Sequence, residues 1–100
     1  MAKGYWIANV DVRNADGYKN YTAMLADIFR KYGGRYVTRG GKVETVEGKG
    51  RSRVVLLEFP SYEAAMTCYR SPEYAKEIPV RQANADCDLI VIEGYDGAQP

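Results

Sequence analysis

Residues 53–59 read Arg-Val-Val-Leu-Leu-Glu-Phe, and no strand built from them can keep its apolar side chains on one side. Successive side chains along a strand point to opposite faces, so Val55, Leu57 and Phe59 point one way and Val54 and Leu56 the other. Residues 88–93, Asp-Leu-Ile-Val-Ile-Glu, repeat the pattern, with Ile90 and Ile92 opposed to Leu89 and Val91. A sheet holding both strands needs cover on both faces. A chain of 100 residues has room for one domain, residues 1–100, and its helices can shelter one face of a sheet. Each large aliphatic side chain left wet forgoes about 1.5–3 kcal/mol. The pattern therefore predicts a homodimer closed sheet to sheet.

The other elements follow from local signals. Tyr5–Val12 is aromatic and β-branched and runs into the turn formers Asn14–Gly17, which predicts a strand. Asp16 is expected to cap a helix whose residues Tyr18, Tyr21, Leu25, Ile28, Phe29 and Tyr32 form one apolar stripe, ended by Gly33-Gly34. Tyr36–Thr38 reads as a short strand, Arg39–Lys42 as a turn, and Val43–Glu47 as its partner or continuation. Gly48-Lys49-Gly50 turns the chain into strand 53–59, which Pro60 stops. Ser61 caps a helix through Tyr69, Ser71-Pro72-Glu73 restarts it, and Pro79 is expected to kink or break it. Residues 88–93 form the last strand. The order β-α-β-β-α-β predicts an α+β, ferredoxin-like antiparallel sheet with its helices on one face.

Composition narrows the function. Fourteen basic and thirteen acidic residues leave a net charge of +1, no field for gathering phosphate backbones or anionic lipid. The start MAKGYWIANV lacks a signal-like apolar run and nothing approaches a membrane span, so a cytoplasmic protein is expected. The chain has no histidine, which removes Ser-His and Cys-His pairs, proximal haem ligation and histidine metal sites. Cys68 and Cys87 read as two buried free thiols. No metal and no cofactor is expected.

Two motifs resolve into turns. Gly48-Lys49-Gly50-Arg51-Ser52 superficially resembles a phosphate loop, but it precedes a strand, whereas a phosphate cradle opens onto a helix. RNA-recognition motifs share the element order, but Val54, Leu56 and Glu58 stand on the third strand where stacking would need aromatic rings. Nucleic acid is not an expected partner.

Polar residues embedded in apolar strands are the candidate chemistry. Asn9 and Asp11 share one face of the first strand, and Glu58 shares a face with Val54 and Leu56. A carboxylate on such a face needs a partner or a purpose. Arg39, Arg53 and Arg81 can supply counter-charge. One reading is a salt bridge that fixes dimer register; the other is a ligand-binding cluster. In the second, Glu58 or Asp11 is the catalytic base, Asn9 and Arg81 bind substrate, and Arg39 and Arg53 hold an anionic group or enolate. Tyr21, Tyr69 and Tyr74 are expected at the pocket mouth.

Taken in order, several segments resemble one family. They are Tyr18-x-x-Tyr21, Gly33-Gly34-Arg35-Tyr36, Arg39-Gly40-Gly41, Glu47-Gly48, Arg53 leading into Glu58-Phe59-Pro60-Ser61, Ser71-Pro72-Glu73-Tyr74, Arg81 and Glu93-Gly94. Together they resemble the domain-of-unknown-function-1330 (DUF1330) family over nearly the whole chain. The resemblance implies a dimeric α+β barrel, two ferredoxin-like sheets enclosing an interior. Its wider superfamily includes cofactor-independent monooxygenases, muconolactone-type isomerases and haem enzymes. The expectation is a small-molecule-binding homodimer, acting as a cofactor-independent isomerase or monooxygenase on a small acidic or aromatic metabolite. The alternative is a non-catalytic ligand-sensing or protein-interaction module, because fold alone does not supply a reaction.

Overall fold

The strand Gly4–Val12 (β1) is the spine of a four-stranded antiparallel sheet. The computed structural model describes all residues from Met1 to Pro100. Between β1 and the edge strand Arg35–Arg39 (β2) run two short helices, Ala15–Ala23 (α1) and Leu25–Lys31 (α2). After Arg53–Phe59 (β3) come Tyr62–Tyr69 (α3), Pro72–Ala75 (α4) and Ile78–Asn84 (α5), and then the last strand, Ala85–Glu93 (β4). The sheet order is β2-β3-β1-β4, the ferredoxin-like arrangement of an α+β domain. No helix is long and apolar enough to cross a membrane.

Register decides which side chains share a face. β1 pairs with β3 so that Trp6 opposes Leu57 and Val10 opposes Arg53, and with β4 so that Trp6 opposes Val91 and Val10 opposes Cys87. Alternation then places Trp6, Ala8, Val10, Val55, Leu57 and Leu89 toward the helices. Trp6 is the centre of this layer. Its ring packs on Tyr74 at 4.9 Å, Phe29 at 5.3 Å and Phe59 at 5.5 Å, and its indole N–H donates to the Ala65 carbonyl at 2.9 Å. Removing so well packed a ring costs about 3–5 kcal/mol.

The opposite face carries Ile7, Val54, Leu56, Ile90 and Ile92, and no element of the chain covers it. Ile90 is 53% exposed and Ile92 46%.

Five local expectations are corrected. The helical stripe is carried by two helices, because the Met24 N–H bonds the Tyr21 carbonyl three residues back and tightens one turn. Tyr18, Tyr21, Leu25, Ile28 and Phe29 are all buried in spite of the break. The cap of α1 is Asn14, whose side chain accepts from Gly17 N–H, while Asp16 sits in the first turn. Residues 43–47 form no strand: Gly40, at φ +65°, donates its N–H to the Val54 carbonyl and turns the chain away from the free edge of β2. Pro79 stands in the first turn of α5, where its missing N–H is harmless, and the break precedes it. The last strand also begins three residues early, at Ala85.

Candidate functional site: an arginine- and tyrosine-lined cavity

The helix-covered layer is not completely filled. A cavity lies between the sheet and α1, α2, α4 and α5, walled by apolar side chains such as Trp6, Val10, Phe29 and Leu57. Its polar groups are Arg39, Arg53, Arg81, Tyr18, Tyr21, Tyr36, Tyr74, Thr22 and Cys87, and no Asp or Glu is among its walls. The space open to the centre of a water-sized sphere is about 30 Å³, room for roughly two waters at ~10–15 Å³ each. The exposed Arg39 marks its open side.

Each guanidinium reaches the cavity for a local reason. Arg53 begins β3 in the same alternation as Val55, Leu57 and Phe59, so it points inward with them. Arg39 is re-aimed by a bulge: pairing shifts between Tyr36 and Thr38, so Tyr36 opposes Leu57 and Arg39 opposes Val55. Both then face the helices, and the Arg39 guanidinium stacks over the Tyr36 ring at 4.8 Å. Arg81 projects from α5, where it is 8% exposed. Its Nη1 donates to the Tyr74 hydroxyl at 2.7 Å, and that hydroxyl lies 2.7 Å from the Tyr21 hydroxyl.

Two donors in this layer are buried without a partner, Nε of Arg53 and Nε of Arg81. Buried polar groups are nearly always bonded, so such atoms call for an explanation. Burial pushes the phenols of Tyr18, Tyr21 and Tyr74 above the ordinary value of 10, and they stay neutral hydroxyls at neutral pH. The Cys87 thiol is also raised, chiefly by burial, so it is a poor thiolate. The site is rich in positive charge and hydrogen-bond donors and has no carboxylate to act as a base.

The residues singled out from sequence fall into two sets. Tyr21, Arg39, Arg53, Tyr74 and Arg81 line the cavity. Tyr69 stands just behind it, its ring 5.9 Å from Trp6 and 5.6 Å from Tyr74. Asn9, Asp11 and Glu58 lie on the uncovered face, as their strand alternation requires. There Asp11 accepts from the Ser52 N–H at 2.9 Å and hydroxyl at 3.0 Å, and from Arg51 at 3.1 Å. Arg51 also reaches Asp88 at 3.0 Å. Glu58 accepts from the Tyr5 hydroxyl and from Arg35, each at 3.0 Å. The Ser52 N–H, then its hydroxyl and Arg51, hold Asp11 below the ordinary aspartate value; the Tyr5 hydroxyl, then Arg35, do the same for Glu58.

Tyr18, Tyr36, Thr22 and Cys87 line the cavity without having been singled out. The signal for Cys87 was its alternation with Leu89 and Val91, which sends it inward. Tyr18 was visible as the first member of the helical stripe, but its hydroxyl was indistinguishable from a packing ring. No group of three or more His, Cys, Asp or Glu side chains converges anywhere in the chain.

Known structures share this architecture. The RPA0582 protein of unknown function from Rhodopseudomonas palustris superposes with a TM-score of 0.76 at 23% identity, over 96% of this chain and 85% of its own. SnoaB, a cofactor-independent oxygenase from Streptomyces nogalater, gives 0.68 at 13% identity, over 100% and 97%. The hypothetical Arabidopsis thaliana protein AT3G17210 gives 0.65 at 13% identity, over 99% and 90%. At these identities the likeness is one of fold. No curated protein sequence matches the chain significantly. The sequence likeness lies instead with a family whose model matches residues 3–95, nearly the whole of the sheet and its helices: the chain belongs to DUF1330, the domain of unknown function of that number.

Proposed function

We propose that this protein is a homodimer that binds a small anionic aromatic molecule in the cavity beneath its helices. One observation carries the reading: Arg53 and Arg81 present buried, unpartnered Nε–H groups to a layer without any acidic side chain. A carboxylate, enolate or phenolate oxygen satisfies those donors and neutralises the charge, and a guanidinium holds a carboxylate in bidentate fashion. The aromatic walls favour a flat apolar body. The cavity as it stands has room for about two waters, so an aromatic ligand requires it to widen. The exposed Arg39 at its open side is the side chain whose displacement would do so.

Two arginines facing one ligand stabilise negative charge as it develops. That is the requirement shared by cofactor-independent isomerisation and oxygenation, in which an acidic C–H or O–H of the substrate ionises. The fold likeness to SnoaB agrees with this class without specifying it. A second reading, ligand sensing without turnover, is favoured by the lack of a base: the cavity's phenols and thiol are all held in their protonated forms. The proton of an acidic substrate must then leave to solvent.

In the same proposal the uncovered sheet face is the dimer interface. Ile7, Val54, Leu56, Ile90 and Ile92 form its apolar centre, and the Asp11–Arg51–Asp88 and Arg35–Glu58–Tyr5 clusters fix its register. Glu58 and Asp11 then serve assembly.

A thermal-shift panel of small carboxylates, phenols and lactones, followed by turnover assays on the hits, tests the reading. Stabilisation by anionic aromatic members with turnover supports the enzyme, and without turnover the sensor. Preference for amines, or indifference to all members, overturns both. Sedimentation at micromolar concentration tests the dimer, and a stable monomer contradicts it.

A further inference from the structure

The hydrogen bonds at the inner end of the cavity do not balance. Arg81 Nη1 can only donate, so the Tyr74 oxygen accepts from it. The Tyr74 and Tyr21 oxygens are 2.7 Å apart and share one bond, which uses one of their two hydroxyl hydrogens. The other group beside the two hydroxyls is Arg81, which can only donate, so one O–H is left without an acceptor. The two side chains are deeply buried, with Tyr21 6% and Tyr74 0% exposed, and both line the cavity. A buried donor without an acceptor is costly.

The cation decides which hydrogen is free. Accepting from Arg81 polarises the Tyr74 hydroxyl and makes it the stronger donor. The 2.7 Å bond from Arg81 thus favours Tyr74 as donor to Tyr21, an arrangement that leaves the hydrogen of Tyr21 for whatever occupies the cavity. Arg81 and Tyr21 meet at the Tyr74 hydroxyl and all three line the cavity, so an anion held by Arg81 would lie near the free O–H.

We propose that the Tyr21 hydroxyl is a specificity-determining donor, and that the ligand class is an aromatic 2-oxo acid or its enol. The carboxylate engages the guanidiniums and the oxygen on the neighbouring carbon accepts from Tyr21. Tyr74 is a positioning residue, holding Tyr21 in register with Arg81. The proposal rests on the anionic-ligand reading above and adds a second acceptor to it.

Benzoylformate and phenylacetate share one skeleton and differ at the carbon beside the carboxylate, which is a carbonyl in the first and a methylene in the second. Calorimetric titration of both into the wild-type dimer and into Tyr21→Phe separates the two ideas. The wild type should prefer benzoylformate about tenfold, the worth of one good hydrogen bond. Tyr21→Phe should bind phenylacetate within about twofold of the wild type and lose the preference. Binding of both acids by the wild type without preference, or a preference kept in Tyr21→Phe, overturns the donor role and leaves the anion site standing. Binding of neither acid by the wild type overturns both. Should Tyr21→Phe fold poorly, the keto stretch of isotope-labelled benzoylformate bound to the wild type decides. A shift to lower frequency supports the donor, and an unshifted band overturns it.

Discussion

On the uncovered face of the sheet each arginine has a carboxylate: Arg35 bonds Glu58, and Arg51 bridges Asp11 and Asp88. Beneath the helices Arg53 and Arg81 have none, although Arg81 is far more deeply buried than Arg35. The same residue type is thus balanced at the exposed Arg35 and half-buried Arg51 and unbalanced at the half-buried Arg53 and buried Arg81. Burial makes an unmatched charge more expensive, so structural need alone would have put the pairs the other way round. A cation paired in the open needs nothing further. One left unpaired in a cavity points to a partner from outside the chain.

The comparison breaks most sharply at the apolar centre of the open face. Leu56→Asp should convert the proposed dimer to a monomer at micromolar concentration, because a carboxylate without a partner would be buried in the proposed interface. Sedimentation reads the change, and the monomer should still bind the aromatic acid, since the cavity lies within one subunit. On the covered face, Arg53→Met should weaken anion binding about 10- to 100-fold, the worth of charge-assisted hydrogen bonds. Its melting temperature should hold or rise, because an unbalanced cation has been replaced by an apolar chain of similar reach. Arg51→Met should do the reverse, weakening the dimer and leaving affinity alone.

Alkali should separate the faces next. The phenols of Tyr18, Tyr21, Tyr36 and Tyr74 are held above 10 chiefly by burial. Groups with raised folded values support stability fully below the unfolded value and lose that support as pH rises toward the folded one. Thermal stability should therefore fall as pH climbs past 10, with tyrosinate absorbance appearing together with unfolding. Tyr5, on the open face, is raised first by its bond to Glu58, so Glu58→Gln should return Tyr5 toward ordinary titration and leave the covered tyrosines unchanged. Acid acts on the other face. Asp11 and Glu58 are held below 3.8 and 4.5, so their support is present above those values and lost as pH falls through the folded ones. The proposed dimer should loosen before the subunit unfolds.

The smallest effect concerns Gly40, which lies against the Arg53 guanidinium at φ +65°. Gly40→Ala should cost about 1 kcal/mol for the left-handed backbone. Its methyl group should also push Arg53 aside and lower affinity severalfold, with little change at the dimer interface.

The architecture was legible because alternation in residues 53–59 and 88–93 and the capping serines at 61 and 71 are local signals that tertiary packing reinforces. Residues 43–47 misled because Val43, Thr45 and Val46 are β-branched residues that favour strands, yet no neighbour takes them and both valines are exposed. Arg53 and Arg81 are visible in the sequence as cations that either pair with Glu58 and Asp11 or bind an anionic ligand, and the sequence leaves that choice open. Telling one sheet face from the other required the register of β1 against β3. The inward turn of Arg39 depends on a bulge that its own strand does not announce. The surplus hydroxyl of Tyr21 depends on where α4 and α5 set Tyr74 and Arg81, a distance no pattern encodes.

A crystal structure of the protein with phenylacetate tests the central claim most directly. The account predicts the carboxylate within hydrogen-bond distance of Nε of Arg53 or Nε of Arg81 and the ring against Trp6 and Phe29. A ligand seated instead beside Asn9 and Glu58, with both guanidiniums still unpartnered, would contradict it.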